Sequence, residues 1–217
     1  LDVNERAPSE LVDLERRIAP QQKRALARRQ LILDATKRLL VGRSGEAITT
    51  STVAAEAEVP VSSVYRYFPN IFSIHRTILE EFNAEIERII GDILTDPEIQ
   101  GWRISLVGMI GGLRELVEQN PSYGAVFRIM LTTHELRAAR EAWNLALANR
   151  LAQRWHQGED GFHGGDPDLV ARMTVEIYCA GEVLIFERRS DPDKVAACFS
   201  ETLTALERYL AGYLSDD

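Results

Sequence analysis

The chain has 217 residues, enough for one large domain or two small ones, and its 45% apolar and 27% charged composition is that of a folded globular protein. No run approaches the roughly 18 to 20 consecutive apolar residues of a membrane helix, and the start, with Asp2, Glu5, Glu10 and Asp13, lacks the basic-then-apolar plan of a signal peptide. A cytoplasmic protein with no membrane partner is therefore expected, and a net charge of −8 argues against nucleic-acid binding by the chain as a whole.

Apolar residues recur at intervals of three and four almost throughout, without sustained alternation, so the fold class expected is all-α. Residues 1–20 read as a polar extension in which Ser9 caps a short helix from Glu10 to Ile18, stopped by Pro20. A first core helix is predicted from Gln21 to Val41, with Ile32, Ala35, Leu39 and Leu40 on one face, ended by Gly42 to Gly45. Two short helices follow, Thr50–Ala57 and Val61–Phe68, and Asn70 caps a long one from Ile71 to about Leu94. Asp96-Pro97 breaks it. Beyond lie Glu98–Gln119, Ser122 to about Leu131 after Asn120-Pro121, and Glu135–His156. The loop Gly158–Pro167 precedes a helix to about Arg189, and Asp191-Pro192 opens the last, to about Leu214. That makes nine core helices, divided as an extension over 1–20, a head of short helices over 21–70 and a body over 71–217.

Charge follows this division. Residues 23–68 carry eight basic side chains against four acidic ones, a balance of +4, whereas residues 69–217 sum to −10. A basic block beside an acidic body is the pattern of a head that holds phosphates on a body that they repel.

The stretch Thr49–Phe68 has the plan of a helix-turn-helix, one short bracing helix and a second for the major groove. Val53, Ala54 and Ala57 give the first a small apolar face, Val59 fills the corner, and Val64 and Phe68 anchor the second. Val61, Ser62, Ser63, Tyr65, Arg66 and Tyr67 are left as outer or flanking positions, with hydroxyls and a phenol suited to phosphates and thymine methyls.

These residues resemble the head of the tetracycline-repressor (TetR) family. Ile32, Leu33 and Ala35 match its first helix, Thr49 and Thr50 the start of the second, Val53, Ala54, Ala57 and Val59 its scaffold, and Ser63, Val64, Tyr65, Tyr67 and Phe68 its recognition helix. The match covers about residues 24–80. It implies that Thr49, Thr50 and Tyr67 contact phosphates while Ser51, Val61, Ser62, Tyr65 and Arg66 lie nearest the bases, Arg66 being the candidate for a bidentate guanine contact. Four positions depart from the family pattern: Glu58 and Ser62 replace glycines, Pro60 a serine cap, and Ile71 a phosphate-binding lysine. Basic residues at the start of the first core helix, Lys23, Arg24, Arg28 and Arg29, compensate for the missing lysine.

The resemblance also implies a homodimer on a palindromic double-stranded DNA operator, probed by a small-molecule effector of unknown identity, with repression the expected sign. For the effector, aromatic, soft and isolated polar residues are the candidates: Trp102, Met109, Phe127, Met130, His134, Trp143, Tyr178 and Glu182. For the dimer interface, the last helix offers a stripe of Val195, Phe199, Leu203, Leu206 and Leu210, with Val170, Met173, Ile177, Leu184 and Ile185 on the helix before it. The alternative use of these stripes is to close the subunit's own core. Gly101, Gly108, Gly111 and Gly112 are expected to serve close helix packing.

Catalysis has no foothold, since phosphate-cradling loop, nucleophile elbow and HExxH are all lacking. His75, His134, His156 and His163 are scattered, so neither metal nor cofactor is expected, and Cys179 and Cys198 read as buried thiols without zinc or disulfide spacing. The competing functional reading is a TetR-like interaction protein that has lost sequence-specific DNA binding, suggested by Pro60 and Ile71 and opposed by the retained basic face.

Overall fold

Helices carry nearly all of the described residues. In the computed structural model, which describes residues 9–42, 48–188 and 190–215 (side chains from residue 22 onward), nine α-helices and one 3-10 turn follow one another with no strand among the described residues. Contacts divide the chain within the fourth helix, into an N-terminal unit up to Ile74 and a C-terminal unit from His75.

The N-terminal unit contains α1 (Ser9–Gly42), α2 (Thr50–Glu56), α3 (Val61–Tyr67) and the first turn of α4 (Ile71–Thr95). α1 corrects the expected break at Pro20, because helical backbone continues through that residue from Ser9. The proline removes one intrahelical hydrogen bond. The good helix formers after it, in the run QQKRALARR, carry the helix on. The expected stop at Gly42 to Gly45 lies in part outside the described residues, as does the expected end of the penultimate helix at Arg189. Ile32, Leu33, Ala35, Val53, Val64 and Ile74 are essentially inaccessible and form the unit's core.

The C-terminal unit holds the rest of α4, then α5 (Trp102–Gln119), α6 (Pro121–Thr132), α7 (His134–His156), the turn Glu159–Gly161, α8 (Pro167–Glu187) and α9 (Pro192–Leu210). α5 starts four residues later than its pattern suggests. Asp96 is the reason: it accepts from the backbone of Glu98 through its carboxylate (2.9 Å) and of Ile99 through its carbonyl (3.2 Å), winding the chain into a turn. Asp166 and Asp191 cap α8 and α9 as the Asp-Pro pairs predict. α8 packs between α7 and α9. Its Gly181 allows that approach, since a Cβ there would lie 2.1 Å from Thr202 Oγ1. On α5, a Cβ at Gly112 would meet Ile89 Cγ2 of α4 at 2.7 Å, so close packing accounts for that glycine.

Candidate functional site

The head is assembled by local hydrogen bonds at the ends of its short helices. Thr49 caps α2: its Oγ1 accepts from Thr52 N at 3.2 Å while its own N donates to Thr52 Oγ1 at 2.9 Å. Thr50 Oγ1 donates to Tyr65 Oη at 3.0 Å, tying the start of α2 to the exposed side of α3. Arg38 pairs with Glu56 at 2.8 Å between α1 and α2, and the Arg29 guanidinium lies 5.5 Å from the Phe68 ring centroid. Seven-residue helices do not hold themselves together in water, so these ties and the buried Val53, Val64 and Phe68 supply the rigidity.

The corner is built without the expected glycine. Glu58 has φ of 52°, in the left-handed region, and Val59 behind it is buried and donates to Ala54 O at 3.0 Å. Pro60 precedes α3 as an N-cap without a side-chain bond, and Asn70 caps α4 through Ser73 N at 2.8 Å. Ile71 is half-buried.

Thr49, Ser51, Val61, Ser62, Tyr65 and Arg66 are exposed, whereas Thr50, Ser63 and Tyr67 are half-buried. Arg66 has no bonding partner among the described residues, so its guanidinium is available to a ligand. Lys23, Arg24 and Arg28 are exposed on α1 as well.

In the C-terminal unit α4, α5, α7 and α8 enclose a cavity of about 390 Å³. Its wall is overwhelmingly apolar, with Ile86, Ile90 and Leu94 from α4, Leu106, Met109 and Leu113 from α5, Trp143 and Leu147 from α7 and Tyr178 from α8. Leu206 of α9 closes one side. Four charged residues line it, and each has an opposite charge in contact. Glu87 takes Arg150 at 3.1 Å and the Trp143 indole at 2.6 Å, so its carboxyl titrates below the usual range, held down first by Arg150 against the effect of burial. Arg154 reaches Asp160 at 2.7 Å and Glu159 at 2.5 Å.

The fourth charge, Arg140, belongs to a buried network. Its Nη2 donates to Glu182 Oε2 at 2.7 Å, its Nη1 to Asn83 Oδ1 at 3.1 Å and to Tyr123 Oη at 3.2 Å, and the Tyr123 hydroxyl donates to Glu182 Oε1 at 2.7 Å. Burial is the strongest influence on Arg140 and opposes its charge, yet the Glu182 carboxylate together with Tyr123, Cys179 and Tyr178 raises the guanidinium pKa overall; burial and Glu182 also raise that of Tyr123. Next to them Asn144 Nδ2 donates to Cys179 Sγ at 3.2 Å, and burial, with Glu182 adding to it, pushes the Cys179 thiol up to about 11.

Of the eight residues picked for a ligand, the structure brings Met109, Trp143 and Tyr178 to the cavity wall. The other five lie elsewhere. Trp102 packs in a separate cluster with Trp155, Val170 and Leu210; Phe127 lies tilted against Phe186 at 4.7 Å between ring centroids; Met130 is buried; His134 is exposed at the start of α7; and Glu182 pairs with Arg140. Arg140 and Asn144 were not singled out. Their signal was present, because they occupy the four-residue register of the buried Leu136, Ala148 and Ala152.

The structure places much of the proposed interface stripe inside the subunit. Phe199, Leu206 and Leu210 are 2%, 2% and 4% exposed in the isolated chain, so they have no surface left to give a partner. Their periodicity is spent on the subunit's own core, against the cavity and the Trp102 cluster. Val195 and Leu203 are half-buried beside them. The open face of the α8–α9 pair is a shallow groove between Ile177, Ala180 and Leu184 on one helix and Ala197, Cys198 and Ala205 on the other.

Among the described residues there is no group of potential metal ligands and no helix long and apolar enough to cross a membrane. A helix-turn-helix whose second helix carries an arginine with no partner among the described residues, in a chain that continues as a helical body with a cavity, is the plan of a DNA-binding regulator. Family comparison agrees at both ends of the chain. Residues 32–71 match the model for bacterial regulatory proteins of the tetR family, and residues 102–210 match a tetracyclin repressor-like C-terminal domain. The chain belongs to the TetR family of transcriptional regulators.

Among curated proteins it resembles the HTH-type transcriptional repressor KstR of Mycolicibacterium smegmatis, 26% identical over 183 residues that span 78% of this chain and 81% of KstR. Among solved structures it resembles a SmeT–triclosan complex, SmeT being the repressor of the Stenotrophomonas maltophilia multidrug efflux pump SmeDEF. The TM-score is 0.66 at 22% identity, covering 88% of this chain and 93% of SmeT. The fatty acid degradation regulator FadR of Bacillus halodurans superimposes with TM-score 0.63 at 17% identity over 82% and 94% of the two chains.

Proposed function

We propose that this protein is a ligand-responsive repressor that holds a palindromic operator as a homodimer and changes its affinity for DNA when a small molecule enters the cavity of its body. The observation that carries this reading is the cavity itself, about 390 Å³ and walled almost entirely by apolar side chains, in the C-terminal unit of a DNA-binding regulator. A ligand acts by differential affinity for two states of the dimer, so DNA and effector compete through a shared equilibrium. In the head, Thr49, Thr50 and Tyr67 hold phosphates. Ser51, Val61, Ser62, Tyr65 and Arg66 face base edges, and the Thr50–Tyr65 hydrogen bond presets the angle at which Tyr65 arrives. The groove between α8 and α9, rather than the buried stripe, receives the second subunit.

Selection of bound fragments from source DNA tests the first half, the expected outcome being a palindrome whose half-sites lie one helical turn apart. Recovery of no preferred sequence would leave a TetR-like interaction protein in its place. Met109→Trp tests the second half by filling the cavity: the variant is expected to bind the selected operator as tightly as the parent and to lose its response to any inducing extract. An unchanged response would place the effector elsewhere.

A further inference from the structure

Two buried polar atoms on residues that line the cavity are left without partners. Arg140 and Asn144 both line the wall one turn apart on α7, 4% and 7% exposed, and Arg140 Nε and Asn144 Oδ1 make no hydrogen bond. Tyr178 of α8 lines the same wall, half-buried, with no hydrogen bond from its hydroxyl among the described residues, and its phenol is close enough to Arg140, Cys179 and Glu182 for their charges to act on it. Buried polar atoms in folded proteins are nearly always satisfied, and two orphans one turn apart on the wall of a hollow lined by hydrocarbon, with an unbonded phenol on the same wall, point to a group that arrives from outside.

The chemistry of that group follows from the atoms left open. Arg140 Nε offers only a proton, Asn144 Oδ1 only lone pairs, and the Tyr178 hydroxyl either. A hydroxyl is the smallest group that accepts from the first and donates to the second. Net charge is disfavoured, because Glu87, Arg140, Arg150 and Arg154 already contact opposite charges. A carboxylate or ammonium would enter an apolar hollow with no free counter-charge to meet it.

Resting on the reading of this cavity as the effector site, we infer that the effector is an uncharged, mostly apolar molecule bearing a hydroxyl, which it seats between Arg140, Asn144 and Tyr178 while its carbon skeleton lies along Ile86, Met109, Leu113 and Trp143. The hydroxyl sets orientation and selectivity, and the hydrocarbon supplies most of the affinity.

The test uses the full chain and three probes of one rigid skeleton: 4-phenylphenol, its methyl ether and biphenyl-4-carboxylate, with binding measured by calorimetry. The phenol is expected to bind at least tenfold tighter than the ether, which keeps the oxygen but lacks the proton, and tighter still than the carboxylate. Tyr178→Phe and Asn144→Leu should each shrink the preference of phenol over ether by severalfold. Tyr178→Phe removes a single atom, and so serves even if the asparagine variant folds poorly. Equal binding of phenol and ether, tighter binding of the carboxylate, or a preference untouched by Tyr178→Phe would each overturn the hydroxyl assignment while the cavity remains the effector site. If none of the three probes binds, or if all bind Met109→Trp as well as the parent, the cavity is not the site and the inference falls with it.

Discussion

At single positions, burial and backbone geometry set measurable costs. His75 is 4% exposed, neither ring nitrogen has a partner, and burial lowers its pKa from an ordinary 6.5 to about 4. Between those values the unfolded chain takes a proton that the folded chain refuses, so the unfolded state binds more protons and stability falls as pH falls. The neutral imidazole costs nothing on this account above 6.5. The full gap is worth on the order of 3 kcal/mol by pH 4. Urea melts at pH 7 and pH 5 should show His75→Phe losing less stability between the two than the parent; equal losses would assign the acid limb to other groups. Glu58 is a second such position. Its φ of 52° places a Cβ-bearing residue where glycine is preferred, so Glu58→Gly should stabilise the head by about 1 kcal/mol in thermal or urea melts. Glu58→Ala keeps the Cβ and should gain nothing. Equal gains from both would mean that the charge, not the backbone, carries the cost.

Among the elements, the short helices of the head were legible and the duties of the long helices were not. Val53, Ala54, Ala57 and Val59 are spaced so closely that only one packing suits them, and each is buried as its spacing implies. α9 shows the opposite case. Its apolar stripe was plain, but a helical period states that a face is covered without stating what covers it, and Phe199, Leu206 and Leu210 turned out to face their own subunit. The cavity was hidden for a related reason: it is made by residues from five helices brought together by packing, and only Met109, Trp143 and Tyr178 stood out by type. From this follows a paired prediction on the α8–α9 groove. Leu184→Glu with Ala205→Glu places charge on the open face and should convert a dimer to monomers that keep their helical circular dichroism. Leu206→Glu buries a charge inside the subunit and should unfold it. A double groove variant that sediments as a dimer would move the contact to another surface.

For the whole molecule, the charge division governs how DNA is met. A head of +4 followed in the chain by a region of −10 concentrates attraction in the head, so the complex depends on local phosphate neutralisation and not on overall charge. If a dimer makes 6 to 10 phosphate contacts, affinity for the selected operator should fall about a thousandfold or more between 50 and 200 mM salt. Fluorescence anisotropy would read this, and a flat profile would contradict a phosphate-holding head. The Arg140–Glu182 pair has a different reach, since it constrains how the sequence can change with time. Losing either partner alone strands a buried charge, at about 3–5 kcal/mol, a large share of the stability of an ordinary domain. Replacing both with apolar side chains of similar volume removes that penalty. The two positions are therefore separated from their apolar alternatives by a valley that single substitutions cannot cross, and in descendants of this chain they should be inherited, or exchanged, as one unit.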